Sequence, residues 1–188
     1  MISAKRLYTM LENETLWQVA QLCHETLRAA NVPHAVVGGV AVCLHGYQRN
    51  TVDLDLLVRS DDSTTIRQAL KDAGFTWLKE AREFRSATGV PVHFLMAGER
   101  AGRHSEVVLP DPGRRGTTVE KEGLAVISLP RLIESKLACG QGDLRRTHRD
   151  FADVVELIAV HHLDRSFARF LHKSLRATFR ELVQRARA

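Results

Sequence analysis

The stretch VVGGVAVCLHGYQRNTVDLDLLV, residues 36–58, gathers residue types that can handle phosphates. Gly38 and Gly39 follow a short apolar run and open a segment that reads as a helix. Without a Cβ, paired glycines let a phosphate reach the backbone, and a helix start favours an anion. A strand-to-helix turn also takes glycines for steric reasons alone. Asp53 and Asp55 lie two apart in the alternating run DLDLLVR, so both carboxylates face one side of a strand. They repel each other unless water or a cation intervenes. A strand rich in Leu and Val does not need them to fold. Their oxygens suit Mg²⁺, which keeps waters for a phosphate. Solvated acids on an exposed edge strand are the other reading.

The elements that must position these groups follow from hydrophobic spacing. A first helix is expected from Ser3 to Ala30, with Leu16, Val19, Ala20, Cys23, Leu27 and Ala30 on its inner side. Asn31-Val32-Pro33 ends it. A strand follows at His34 to Val37, a short helix at Val40 to Tyr47 and a strand at Asp53 to Arg59. Asp61 or Asp62 is expected to cap a helix to Ala73, closed by Gly74. Arg82 to Ala87 and Val90 to Met96 form a hairpin about Thr88-Gly89. Residues 98–123 hold five glycines and two prolines and read as a long, lid-like loop. It has strand-like pieces at Glu106–Leu109 and Thr117–Glu120. Leu124 to Ile127 is a strand. A helix from Ser128 or Leu129 to Cys139 turns Leu129, Leu132, Ile133 and Leu137 inward and breaks at Gly140 and Gly142. The next, Thr147 to His162, buries Phe151, Val154, Val155, Ile158 and Ala159. Asp164 caps a last helix, with Phe167, Leu171, Leu175, Phe179 and Leu182 on one side. This order gives an α+β (mixed α/β) fold: a mixed sheet with flanking helices and a C-terminal helical segment. The expected division is a core at 1–128 and a helical segment at 129–188 packed on it.

The chain has 188 residues, enough for a hydrophobic core without staples. No apolar run reaches the ~18 residues of a spanning helix, so no membrane role is expected. The first residues lack the apolar centre of a signal peptide. Cys23, Cys43 and Cys139 are odd in number and widely spaced, which argues against a disulfide framework and points to the cytoplasm. Cys43 reads as core. His45 reads as packing or as a hydrogen-bonding neighbour of the glycine turn. The net charge is +5, and residues 164–188 carry all of it, with seven basic and two acidic side chains. Arg165, Arg169, Lys173, Arg176 and Arg180 recur at helical spacing as one stripe. It is either a solvated face or a contact for an RNA backbone.

The order strand, Gly-Gly, short helix, turn and Asp-x-Asp strand resembles the nucleotidyltransferase-fold superfamily. The segment FLMAGERAG, the following VVLPDP and the run GLAVISLPRLIESKLACGQGDLRRTHRDFADVVELI are similar to small stand-alone bacterial members akin to AbiEii-type toxins. The likeness spans residues 34–160. It implies that Gly38 and Gly39 meet the phosphates of a nucleoside triphosphate and that Asp53 and Asp55 hold Mg²⁺ or Mn²⁺. It adds Arg49 and Thr51 to the nucleotide site. Arg49 either touches phosphate or pairs with Asp53 or Asp55. Lys136, in SKLA, matches a lysine near the phosphates. Arg149, Asp150 and Asp153 match a basic-Asp-x-x-Asp helix, for which ion pairing and packing is the better reading. Superfamily members usually carry a third carboxylate in the slot that PVHFL fills with His93. His93 either acts as the base, or cedes the slot to another acid such as Glu83, or leaves a site that binds nucleotide without turnover. Imidazole is a poor Mg²⁺ ligand and a better Mn²⁺ ligand, so Mn²⁺ is the expected preference.

The resemblance implies transfer of a nucleoside monophosphate from an NTP to a hydroxyl on RNA (tRNA) or protein. The toxin-like reading brings a cognate antitoxin as partner. The alternative is a degenerate nucleotide-binding module that acts by binding RNA or a protein.

Overall fold

The apolar run His34–Val37 forms β1, buried along its length, in a computed structural model that describes residues 3, 4, 6, 8 and 14–186. Around it the described residues build one seven-stranded sheet. Its strands are β2 (Leu54–Val58), β3 (Thr76–Leu78), β4 (Glu83–Arg85), β5 (Pro91–Met96), β6 (Thr118–Lys121) and β7 (Leu124–Ile127). The order across the sheet is β3-β4-β5-β2-β1-β7-β6. β2 runs antiparallel to β1 and parallel to β5, and β7 runs parallel to β1. All β2 residues except Asp55 are buried, as suits a central strand covered on both faces.

Among the described residues, helices with fully described bounds flank the sheet: α1 (Glu14–Ala29), α2 (Gly38–Leu44), α3 (Ser63–Asp72), α4 (Leu129–Gly142), α5 (Leu144–Val160) and α6 (Arg176–Arg185). α1 buries Leu16, Val19, Ala20, Cys23 and Leu27, as its spacing requires. Its expected start at Ser3 falls where only Ala4, Arg6 and Tyr8 are described as helical.

Several expected features differ. α2 starts at Gly38 rather than Val40. Asp62 stands at the α3 N-cap without a capping hydrogen bond, after a 3-10 turn at Ser60–Asp62. β3 was not legible; its Trp77 packs on Phe84 at 4.9 Å between ring centroids. Glu106–Leu109 makes only an isolated bridge, Arg100 with Val108. This loop is packed rather than lid-like, because Ala101, Val107 and Leu109 are buried.

α4 passes through Gly140 and ends at Gly142 instead of breaking at Cys139. The glycines serve close packing: a Cβ on Gly140 would come 2.6 Å from the Phe151 ring, and one on Gly142 2.6 Å from the Arg103 backbone nitrogen. In α5, Leu157 is buried while Ala159 is exposed. The single last helix is broken into 3-10 turns at Arg165–Phe170 and Lys173–Leu175, then α6. The cause is tertiary. The buried carboxylate of Glu134 on α4 accepts the backbone N–H of His172, and Arg176 donates to the Leu171 carbonyl. Arg165, Arg169, Lys173, Arg176 and Arg180 are therefore spread over three short segments and form no continuous helical stripe. All but Arg176 are exposed.

Candidate active site

Asp55 on β2 pairs in register with His93 on β5 and with Val37 at the end of β1. Paired positions share a face, so His93 lands beside the Asp-x-Asp carboxylates. One donor atom from each of Asp53, Asp55 and His93 lies within 4.8 Å of the others. His93 Nδ1 is 3.5 Å from Asp55 Oδ1 and 3.9 Å from Asp53 Oδ2. The three side chains are 30%, 24% and 37% exposed, so the group is reachable from solvent. Two carboxylates and an imidazole converging in this way are a donor set that fits one divalent cation.

The neighbours fix this geometry. His93 Nε2 lies 3.0 Å from Glu83 Oε2 on the adjacent strand β4. A carboxylate only accepts, so Nε2 carries the proton and donates. Nδ1 is thereby turned toward Asp53 and Asp55. Hydrogen bonds from Arg85 and His93 hold the Glu83 carboxyl below its usual range. Thr51 Oγ1 donates to Asp53 Oδ1 at 2.7 Å. Burial pushes the Asp55 carboxyl up and the Asp53 charge adds to it, against a smaller opposing pull from His93, Lys136 and Arg146. A divalent cation held by Asp53, Asp55 and His93 would offset the repulsion between the two carboxylates.

The glycine pair meets this centre directly. Gly38 has φ +62, and a Cβ there would lie 1.9 Å from Asp55 Oδ2. A Cβ on Gly39 would lie 2.6 Å from Thr51 Oγ1 and 3.1 Å from Arg49 Nη2. Both positions thus require glycine on sterics alone. A groove of about 280 Å³ beside them is lined by Arg49, Asn50, Thr51, Val52, Asp53 and Arg149.

Two expectations about cations change. Arg49 pairs with Asp153, not with Asp53 or Asp55, at 2.8 Å from Nε to Oδ1. Lys136 is buried, with Nζ 2.9 Å from Asp150 Oδ1 and 2.7 Å from Asp153 Oδ2. Its charge is already matched by carboxylates instead of being held out for a phosphate. Arg146 Nε adds a contact to Asp150 Oδ2 at 3.1 Å. A charge chain from the Arg49 turn through α5 and α4 thus backs the site. The ion-pair reading of Asp150 and Asp153 holds, and the i,i+4 spacing of Arg146 and Asp150 was the signal for the extra member. Cys43 is core, its thiol 3.0 Å from the Arg49 carbonyl. His45 Nε2 bonds the Ile127 carbonyl at 2.8 Å. Tyr8 is a neighbour that the sequence did not reveal: it is fully buried, and Cys43, Arg49 and Asp53 act on its hydroxyl electrostatically.

Among curated proteins, none matches the chain in sequence. Solved structures share its fold. ANT(2'')-Ia, determined with adenylyl-2''-tobramycin, superposes with a TM-score of 0.54 at 14% identity, over 87% of this chain and 96% of that one. JHP933 of Helicobacter pylori gives 0.54 at 18% identity, over 83% and 71%. A nucleotidyltransferase-like antigenic protein of Paracoccidioides brasiliensis gives 0.50 at 21%, over 77% and 76%. A family model, aminoglycoside-2''-adenylyltransferase, matches residues 19–120, more than half of the chain, including the glycine pair, both aspartates and His93. The chain therefore belongs to the aminoglycoside-2''-adenylyltransferase family, a family of nucleotidyltransferases.

Proposed function

We propose that the chain transfers a nucleoside monophosphate from an NTP to a hydroxyl of an RNA acceptor, with Asp53, Asp55 and His93 as the reacting centre. The observation that carries this reading is the convergence of their three donor atoms within 4.8 Å beside Gly38. A divalent cation held by these three residues would neutralise phosphate charge and favour ionisation of the acceptor hydroxyl. Gly38 and Gly39 keep Cβ atoms out of the approach to Asp55, leaving room for phosphate oxygens. Arg149 lines the groove beside Asp53 and offers an exposed cation to the same triphosphate. Asp153 holds Arg49 and Lys136 in place, so their role is to set position and local potential. With Nε2 committed to Glu83, Nδ1 of His93 faces two carboxylates. That arrangement calls for a cation, and an imidazole donor favours Mn²⁺ over Mg²⁺.

The acceptor reading rests on charge. Arg145, Arg146 and Arg149 are exposed at the start of α5, and Arg165, Arg169, Lys173 and Arg180 are exposed beyond it. Such surroundings attract a polyanion and repel a polycation such as an aminoglycoside. The second reading, a nucleotide-binding module without turnover, is favoured by one observation: His93 stands where the superfamily usually has a carboxylate.

The test is incubation with each α-labelled NTP in Mn²⁺ or Mg²⁺, with RNA, total protein or tobramycin as acceptor. Label is expected on RNA, stronger in Mn²⁺, and absent with an Asp53→Asn, Asp55→Asn variant. Label on tobramycin alone would overturn the RNA acceptor. NTP binding without label on any acceptor would establish the second reading.

A further inference from the structure

A cavity of about 770 Å³ opens where the chain leaves β2 and β5, and none of Gly38, Asp53, Asp55 or His93 lines it. Arg59 follows β2, and Ala97 and Gly98 follow β5. These strands are a parallel pair, and loops diverging from the carboxyl ends of parallel strands are where ligands gather in open sheets. The volume lies within the range of small-molecule sites, roughly 300–1,000 Å³.

The wall is basic. Arg59, Arg114, Arg115 and Arg131 face it, against Asp61 and Asp111. Arg59 is held by Asp111, Nε to Oδ1 at 2.8 Å, and Arg131 pairs with Glu134, which lies outside the cavity wall. Among the described residues, no carboxylate lies within ion-pair distance of Arg114 or Arg115.

The loop bearing these arginines is built. Asp111 Oδ1 accepts the Gly113 N–H at 2.8 Å, and a Cβ on Gly113 would come 2.2 Å from Arg59 Nη2. Arg114 N donates to the Asp111 carbonyl and Thr117 N to the Arg114 carbonyl, both at 3.1 Å. Ser128 Oγ ties the far end by donating to the Gly116 carbonyl at 2.9 Å. Val108, Leu109 and Pro110 form an apolar side of the same cavity, and Val108 is 54% exposed.

Arg114 and Arg115 are exposed, so an anion in the cavity would meet both without first breaking an ion pair. Two unpaired guanidiniums match the charge of a phosphate monoester, about −1.5 to −2, and their planar forks match its oxygens in paired hydrogen bonds. We propose that this cavity binds a small phosphorylated molecule. The arginines take the phosphate, and Val108, Leu109 and Pro110 cover its neutral body. The site works without a divalent cation, which separates it from the Asp53–Asp55–His93 centre and from the function proposed there.

The test is calorimetric titration of the full chain with pyrophosphate and with AMP in excess EDTA, beside a single-stranded RNA 20-mer. One saturable equivalent of AMP or pyrophosphate is expected. Its affinity should fall at least tenfold in an Arg114→Glu, Arg115→Glu variant and measurably in Arg115→Gln, which keeps the loop's backbone bonds. Mn²⁺ binding by the Asp53–Asp55–His93 centre, titrated alone, should not change in either variant. Absence of saturable binding in EDTA, or binding that neither variant weakens, overturns the proposal. So does RNA binding through these arginines with no affinity for AMP or pyrophosphate, which would assign the cavity to a phosphodiester backbone.

Discussion

A single nitrogen among oxygens gives this centre its chemical character. His93 is aimed by Glu83, whose carboxylate accepts a hydrogen bond from Nε2 at 3.0 Å and so turns Nδ1 to the aspartate pair. Carboxylates behind metal-binding imidazoles fix the tautomer and raise donor basicity, and their loss typically costs 10–100-fold in metal affinity. Glu83→Ala is therefore expected to weaken Mn²⁺ binding by about 10–100-fold in a calorimetric titration, while Mg²⁺, which depends on the carboxylates, changes less. His93→Asp should narrow the gap between Mn²⁺ and Mg²⁺ affinity by restoring an all-oxygen set. A ratio of the two affinities unchanged by His93→Asp would show that the imidazole donates to neither ion. Glu83 was legible in the sequence only as an acid that could enter the slot of His93. The register of β4 and β5 decides otherwise, placing it behind the imidazole.

Elements are held at the site by buried charge. Asp153 of α5 is 1% exposed and grips Lys136 of α4 and Arg49 of the turn before β2. Removing one partner from such a cluster leaves charge buried without a counterpart, a loss of about 3–5 kcal/mol. Asp153→Ala is expected to cost that much in urea unfolding. Arg146→Ala, at a side chain 57% exposed, should cost at most about 1 kcal/mol. Equal and small losses in both would mean that the cluster does not hold α4 to α5. The contrast between legible and hidden elements has the same origin. β1, β2 and the glycine turn were readable because alternation, Gly-Gly and Asp-x-Asp are local signals. The partners of Lys136 and Arg49 were not, because they depend on how α5 docks. Gly140 and Gly142 read as helix breakers, yet they stay helical, since their missing Cβ atoms admit Phe151 and Arg103. The last helix read as continuous because its apolar spacing is unbroken, but Glu134, distant in sequence, captures the backbone at His172.

At the scale of the whole molecule, stability is tied to histidines that the fold keeps neutral. His45 joins layers: its Nε2 donates to the Ile127 carbonyl of β7, and its own carbonyl faces His161 Nε2 of the α5 end at 2.7 Å. Burial is the main force that pulls its imidazole down to about 4, with Lys121 and His161 adding to it and the Ile127 hydrogen bond opposing. His34, bridged to His24 at 2.8 Å between β1 and α1, is lowered by burial as well, and so is His24. Each of these groups binds its proton more readily in the unfolded chain, where the ordinary value is about 6.5. As pH falls below that value, the unfolded state takes up protons that the folded state refuses, so stability declines. For His45 the decline continues until pH approaches its folded value of about 4. It is worth roughly 1.6 kcal/mol between pH 6.5 and 5, because the full slope of about 1.4 kcal/mol per pH unit for one proton applies only once the unfolded imidazole is mostly protonated. Urea unfolding across that window should give a free energy that falls with acid. His45→Gln keeps an N–H donor for the Ile127 carbonyl but cannot titrate, so its slope should be smaller by one proton. An unchanged slope in a folded variant would mean that His45 takes up its proton equally in both states and that the pH dependence comes from elsewhere in the chain.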